Sequence, residues 1–262
     1  MLVYIRGAGV TASAVAARLY HANCRIVMSD RERPHTLRRN IAFAEALRSG
    51  TVTVAGIGAA AAKDPEQAVH VLRSDRIAVI ADPDGNMRGT LPFDACIDTV
   101  TEEPLTDTAI DDAPIVIGIG ERFRPGTNCH ASVIAHREGY RGQVRYEGSS
   151  LPEDFSGGSS NSKKDHYRIK VPGGGLFYPV SEIGDTVRKG DTLAVVDSEP
   201  VVCPADGILT GILPEGDPVE PGRYGALIYT GKDRFLRDVI PEKDMAIGGG
   251  VLEALLHFRE IY

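Results

Sequence analysis

The residues with the clearest chemical potential are Gly7-Ala8-Gly9-Val10-Thr11-Ala12, a G-x-G-x-x-A run between an apolar stretch, Leu2-Val3-Tyr4-Ile5, and the helical spacing of Ala12, Ala14, Val15, Ala16 and Leu19. In that setting Gly7 permits a tight turn, and Gly9 lets backbone N–H groups approach a pyrophosphate at the positive end of the helix. Ala12 is small enough for close helix–sheet packing. Arg25 to Asp30 reads as the next strand, and its last residue, Asp30, follows Ala12 by 18 positions. A carboxylate there accepts hydrogen bonds from ribose hydroxyls, and its charge disfavours a 2′-phosphate. The same residues suit an ordinary tight β-to-α turn with Asp30 capping the loop, and spacing does not separate the two readings. Arg38 and Arg39 are nearby cations able to grip a phosphate through paired hydrogen bonds, or else form a solvated helix face.

Two further glycine clusters are candidate backbone-donor loops. Gly118-Ile119-Gly120 ends an apolar run and, with Gly126, frames a turn before Cys129 and His130. Glu121 in that turn opposes an anion unless Arg122 or Arg124 compensates for it. Cys129 and His130 do not form a nucleophile–base pair if extended, because adjacent side chains on a strand point to opposite faces. His130 is therefore read as a polar group lining a cleft, or as an ordinary hydrogen-bonded histidine. Ile247-Gly248-Gly249-Gly250 precedes a helical run, so Gly248, Gly249 and Gly250 are either a third donor loop, a compact hinge, or room for a neighbouring chain. The seven histidines show no H-x-x-x-H or H-x-H spacing, so no metal site is expected. With no G-x-S-x-G and no Walker lysine, hydrolase and kinase chemistry lack support and no catalytic residue is identified.

Bulk properties narrow the field. With 262 residues, two domains are expected, and the 42% hydrophobic content supports real cores. The net charge of −7 argues against a general nucleic-acid surface. Residues 1 to 50 nevertheless carry eight arginines against three acidic groups, a local field that favours a small anion. Four scattered cysteines suggest neither a zinc knuckle nor a disulfide framework. The absence of a basic leader or a long apolar span leads to the expectation of a soluble cytoplasmic protein that binds no membrane.

The elements that must hold these residues alternate. Helices are expected from Pro34 to Leu47, over residues 65 to 73, and at Val251 to Leu256. Strands are expected at Thr51–Ala55, Ile77–Ala81, Ala95–Ile97 and Ile115–Ile119, giving a mostly parallel sheet. Residues 98 to 112 hold six acidic groups and no Lys or Arg, and read as a solvated connection rather than a metal site. A hairpin is expected from Ala131 to Tyr146, turning near Glu138-Gly139, followed by a flexible stretch, Ser156 to Ser162.

A repeat then appears. Gly184-Asp185-x-Val187-x-x-Gly190-x-x-x-Ala194 recurs 32 positions later as Gly216-Asp217-x-Val219-x-x-Gly222-x-x-x-Ala226, with Gly175 and Gly207 at the same offset. Two similar β units that cannot bury their apolar faces alone are expected to pack face to face. The pattern resembles the barrel-sandwich hybrid of biotinyl and lipoyl domains, but the turn Asp197-Ser198-Glu199-Pro200 lacks the attachment lysine. The expected architecture is thus α/β plus all-β. A Rossmann-like domain spans 1–148, a linker 149–167, the barrel-sandwich hybrid 168–230, and a segment with the final helix, packing on the first domain, 231–262.

Taken in order, the motifs resemble the YqeB-type accessory proteins of selenium-dependent molybdenum hydroxylase systems. The resemblance rests on Ile5-Arg6-Gly7-Ala8-Gly9 with Ala12, Leu37-Arg38-Arg39 with Phe43 and Glu45-Ala46, and Ala113 to Gly120. It continues through Phe123, Gly126, His130, Ile183-Gly184-Asp185-x-Val187 and Ala246 to Ala254. Where that family tends to Gly-Pro-Gly-Phe, this chain has Gly120-Glu121-Arg122-Phe123, and no cysteine follows Cys203. The resemblance implies a role in maturing a molybdenum hydroxylase, with that enzyme or its cofactor-maturation proteins as partners, and is compatible with a homo-oligomer. It also implies a nucleotide-bearing ligand such as molybdopterin cytosine dinucleotide. Asp30 and the first glycine loop keep an NAD-dependent oxidoreductase open as the alternative.

Overall fold

The computed structural model describes residues 1–101, 105–136, 139–148, 165–231 and 237–259. The expected flexible stretch Ser156–Ser162, the Glu138 side of the hairpin turn, and Glu102 and Glu103 of the acidic run lie outside them. The chain forms two compact units. The first comprises Met1–Pro34, Ala42–Ser160 and Ile240–Tyr262, the second His35–Ile41 and Asn161–Val239.

The first unit is mixed α/β. In chain order it contains β1 (Leu2–Arg6), α1 (Val10–His21), β2 (Arg25–Asp30), α2 (Ala46–Ser49), β3 (Thr51–Val54) and β4 (Ile57–Ala62). There follow α3 (Pro65–Arg73), β5 (Ile77–Ala81), β6 (Ala95–Asp98), β7 (Ile115–Ile119), β8 (Ala131–Val133) and β9 (Val144–Arg145), and the unit closes with α4 (Glu242–Arg259). Nine strands make one sheet in the order β3-β4-β5-β2-β1-β6-β7-β8-β9. Strands β4 to β8 of that order run parallel, and the hairpin strands β3 and β9 pair antiparallel at the two edges. Successive strands run outward from β1 in one direction through β2 and β5, then resume on its other side with β6 and β7, so the winding reverses at β1.

Both faces are buried, which explains the continuous apolar runs of the central strands. Tyr4, Val27, Ala78, Cys96 and Val116 share one face in register and pack with Ala68 and Val71 of α3. The alternate residues Val3, Ile5, Ile26, Met28, Ile97 and Ile117, all buried, point to the opposite side. Helix α1 lies against α4.

Several expectations are corrected. No helix spans Pro34 to Leu47. Ala42 is extended, two short 3-10 turns (Arg39–Ile41 and Phe43–Glu45) flank it, and only α2 is α-helical. The Phe43 N–H donates to Ser13 Oγ at 2.9 Å and the Ala44 N–H to the Ala8 carbonyl at 2.9 Å, so tertiary partners take the donors a helix would use. The glycines Gly248, Gly249 and Gly250 are not a loop before the last helix but lie inside α4.

The second unit holds β10 (His166–Lys170), β11 (Gly175–Pro179), β12 (Thr186–Val187), β13 (Thr192–Val196), β14 (Glu199–Val202), β15 (Gly207–Ile212), β16 (Asp217–Val219) and β17 (Tyr224–Tyr229). They form two antiparallel sheets, β10-β17-β15-β12 and β14-β13-β11-β16. The 32-residue offset carries β11 onto β15, β12 onto β16 and β13 onto β17, and the same operation turns one sheet order into the other. The repeat halves therefore interlock rather than stacking as separate layers, since each sheet takes strands from both. Their shared interior includes Phe177, Leu193, Val196, Leu209, Ile212 and Ile228. The segment His35–Ile41 belongs here too: the Ile212 N–H donates to the Leu37 carbonyl at 2.9 Å, and Arg39 Nε donates to the Ile212 carbonyl at 3.2 Å. Gly211 suits that crossing, because a β-carbon would stand 3.0 Å from Leu37 backbone, a tight contact.

Candidate functional site

At the carboxyl end of β1 the chain turns through Gly7, whose φ of +95° favours glycine. A side chain here would also overlap Thr99 Oγ1, which donates to the Arg6 carbonyl at 2.7 Å. Helix α1 starts immediately afterwards with Gly9 as its N-cap, no side-chain cap and no acidic residue in its first turn. Its opening N–H groups thus face outward with the positive end of the helix dipole.

Two carboxylates flank this helix start. Asp30, at the end of β2, accepts from the Ala8 N–H at 2.8 Å through Oδ2 and from the Arg31 N–H at 2.8 Å through Oδ1. Burial pushes its carboxyl above the usual carboxylate range, and the two backbone donors offset this only in part. Asp244, buried near the start of α4, accepts from Thr11 Oγ1 at 2.6 Å. Asp30 is therefore folded against the glycine loop itself, while each oxygen keeps capacity for another donor such as a ribose hydroxyl.

On the α3 face of the same edge lies a polar row that sequence reading did not single out. Ser29, Arg6, Asp98 and Gly118 are neighbours in register across β2, β1, β6 and β7. Tyr4 Oη hydrogen-bonds Ser29 Oγ at 2.7 Å and lies 3.3 Å from Asp82 Oδ2, and burial drives its phenol far above the ordinary range. Asp82 also accepts from the N–H groups of Asn86 and Met87, at 2.9 and 2.8 Å, and so folds the loop after β5.

Asp98 is fully buried. Its Oδ2 receives Arg122 at 2.7 Å and Thr108 Oγ1 at 2.6 Å, together with Thr106 Oγ1, while Oδ1 receives the Val100 N–H at 2.9 Å. Arg122 lies over the Phe123 ring, 4.1 Å from its centroid, and that ring fills the space above Gly118 where a side chain would be. The acidic connection is thus not simply solvated: Asp98 is a core residue, and Asp107 and Asp112 pair with arginines. The only sequence signal was a charged residue ending each of two otherwise apolar strands, Arg6 and Asp98.

The expected site residues are dispersed. Gly7, Gly9, Ala12 and Asp30 come together at the start of α1. Gly118 and Gly120 lie at the end of β7, where the Gly120 N–H already donates to Val133 at 3.0 Å. His130 exchanges two hydrogen bonds with Val116, its own N–H donating at 2.7 Å and its Nδ1 accepting at 2.9 Å, while its ring meets Phe258 edge-on. Burial lowers its imidazole from the usual range. Cys129 beside it is buried, with its thiol pushed up to about 12, a state without thiolate reactivity.

Arg38 and Arg39 are in the second unit. Arg38 donates to the carbonyls of Arg237 and Val239, both at 3.3 Å, and Arg39 binds Ile212. Gly248 and Gly250 are helix-contact glycines: a β-carbon on Gly248 would stand 2.8 Å from the Ala14 carbonyl oxygen of α1, and one on Gly250 would overlap that of Gly142. Among the described residues no group of three or more His, Cys, Asp or Glu is placed to hold a metal ion, and no helix is long and apolar enough to cross a membrane.

No protein-family profile matches the chain. It is 33% identical over 256 residues to an Escherichia coli (strain K12) protein described as uncharacterized protein YqeB, covering 97% of this chain and 47% of that protein. The chain therefore spans about half the length of this relative. A crystal structure of an aspartoacylase family protein from Mesorhizobium loti is 19% identical with a TM-score of 0.22, over 25% of this chain and 24% of its own. A likeness that slight carries no argument.

Proposed function

Because the chain is 33% identical to YqeB over 97% of its own length, we propose that it is a YqeB-type accessory protein in the maturation of a selenium-dependent molybdenum hydroxylase, and that its first unit is a Rossmann-like domain that binds a nucleotide or nucleotide-bearing cofactor. One observation carries the reading. The winding of the sheet reverses at β1, and the carboxyl end of that strand delivers the Gly7–Gly9 turn to a helix without a side-chain cap. In open α/β sheets that reversal is where ligands bind, and an uncapped helix start suits a phosphate. The flanking Asp30 and Asp244 suit the hydroxyls of a sugar. Molybdopterin cytosine dinucleotide fits this donor set: the N–H groups opening α1 would hold its pyrophosphate, and Asp30 its ribose. Bound there, it would supply the metal-binding dithiolene that the protein itself lacks.

The second unit, read as a barrel-sandwich hybrid, is a docking module for the hydroxylase or its cofactor-maturation proteins. Its β13–β14 turn is made by Asp197 and Ser198, both at positive φ, where a carrier domain presents its modified lysine. The chain is accordingly not a covalent carrier, and an intact mass equal to that of the sequence is expected. Ligand released from denatured protein and identified by mass spectrometry tests the binding function. A nucleotide-containing species supports it. No released species, together with an unchanged melting temperature across a nucleotide panel, contradicts it.

A further inference from the structure

Arg6 is the least expected residue of the polar row, a guanidinium with 3% of its side chain exposed at the end of a central strand. Burying such a charge requires an anion. Its register neighbour, Asp98, is committed to Arg122, and the carboxylate that Arg6 receives comes instead from the connection after β6. Arg6 Nη1 lies 2.7 Å from Asp107 Oδ1 and donates to Thr108 Oγ1 at 2.9 Å. The other oxygen of Asp107 lies 3.0 Å from Arg88 Nη2, so one carboxylate bridges two guanidiniums.

Arg88 is held independently of that carboxylate, and Arg6 lies in a space fitted to it. Gly85, at φ +73°, leaves the space in which the Arg6 guanidinium lies: a β-carbon there would stand 2.8 Å from its Cζ. Arg88 is anchored by Asp112 at 2.8 Å and by the Gly85 carbonyl at 2.9 Å. Asp107 differs in kind, with 69% of its side chain exposed. A fixed pair of guanidiniums, one of them buried, thus closes on a carboxylate at the surface.

We infer that Arg6 and Arg88 form a phosphate-binding site that Asp107 occupies as a built-in competitor, so that a phosphoryl group binds by displacing it. Two guanidiniums at this separation match two oxygens of a tetrahedral phosphate as they match the two of Asp107, and phosphate brings a larger charge. Removing Asp107 leaves Arg88 with Asp112 and, among the described residues, takes from Arg6 the carboxylate it is paired with.

The test uses the full chain and compares wild type with Asp107→Asn, titrated with inorganic phosphate at constant ionic strength and followed by calorimetry and melting temperature. Phosphate is expected to bind Asp107→Asn at least tenfold more tightly than wild type, and Arg88→Gln in that background is expected to abolish the gain. Cytidine monophosphate in a parallel arm separates the sources. A larger gain from Asp107→Asn for cytidine monophosphate than for phosphate assigns the site to a nucleotide phosphoryl group, and an equal gain assigns it to the free ion. Equal phosphate affinity in wild type and Asp107→Asn overturns the inference. Asp107→Ala is run beside it, so that if one variant folds poorly the other decides. Gly9→Asp, which acts at the start of α1, is expected to leave the gain intact, keeping this result separate from the fate of the glycine-loop reading.

Discussion

Gly250 of α4 lies so close to Gly142 that a β-carbon on it would overlap the Gly142 carbonyl oxygen. Gly249, one residue earlier in the same helix, has open space in the corresponding direction. Glycine is thus demanded at one of two adjacent helical positions and merely tolerated at the other. Gly250→Ala is expected to lower stability by about 2 kcal/mol through overpacking against backbone, and Gly249→Ala to raise it by about 0.5–1 kcal/mol through helix propensity. Urea unfolding midpoints check both. Equal effects from the two would contradict the helical placement.

The Asp98–Arg122 pair offers a second check. Arg122→Met leaves Asp98 fully buried without its cation and is expected to cost about 3–5 kcal/mol. Asp98→Asn combined with Arg122→Met removes the stranded charge and is expected to recover much of that loss. A double-mutant cycle in denaturant measures the coupling, and additive effects would show that the pair does not act as one.

His130 predicts a pH dependence of known sign. Its folded-state pKa lies below the ordinary 6.5, so the folded protein favours the neutral ring. Its contribution to stability is therefore complete above pH 6.5 and is lost as pH falls through the lowered folded value. Protonation would also take the Nδ1 lone pair that accepts the Val116 N–H. Wild type is expected to lose stability below pH 6.5 more steeply than His130→Gln, as read from unfolding midpoints across that range.

Asp107 titrates in a separate window. Its carboxyl is held down to about 2, first by Arg6 and then by Arg88, so its contribution is present above the ordinary 3.8 and fades as pH falls toward 2. The exposure of Asp107 keeps that contribution small through solvent screening. The slope of stability between pH 4 and 2 is expected to be shallower in Asp107→Asn than in wild type.

Local signals were legible in the sequence. The strand–glycine–helix opening, the apolar strands and the 32-residue offset each depend on neighbours along the chain, and β11/β15, β12/β16 and β13/β17 fall at the offset. Long-range relationships were not. Nothing local tells that Arg39 binds Ile212, or that Ser13 and Ala8 take the amide contacts that stop a helix at Phe43 and Ala44. The triple glycine reads as a breaker because each glycine weakens an isolated helix, yet Gly248 and Gly250 bring α4 close to Ala14 and Gly142, where packing overrides propensity. Strand β4 was missed for a related reason: Ile57-Gly58-Ala59-Ala60-Ala61-Ala62 has little strand preference, and its place is fixed by pairing with β3 and β5.

The start of α1 is proposed to bind the phosphates of a nucleotide. Gly9 has N-cap geometry, φ −67° and ψ −170°, that any residue adopts, and aspartate is a favoured cap there. Gly9→Asp is therefore expected to preserve or raise the melting temperature while placing a negative charge where phosphate would lie. The decisive measurement is calorimetric titration of wild type and Gly9→Asp with CDP, ADP and NAD. Wild type is expected to bind at least one of them, and Gly9→Asp to weaken that binding at least tenfold without loss of stability. Failure of wild type to bind any of the three, or equal binding by the two proteins, would contradict that assignment.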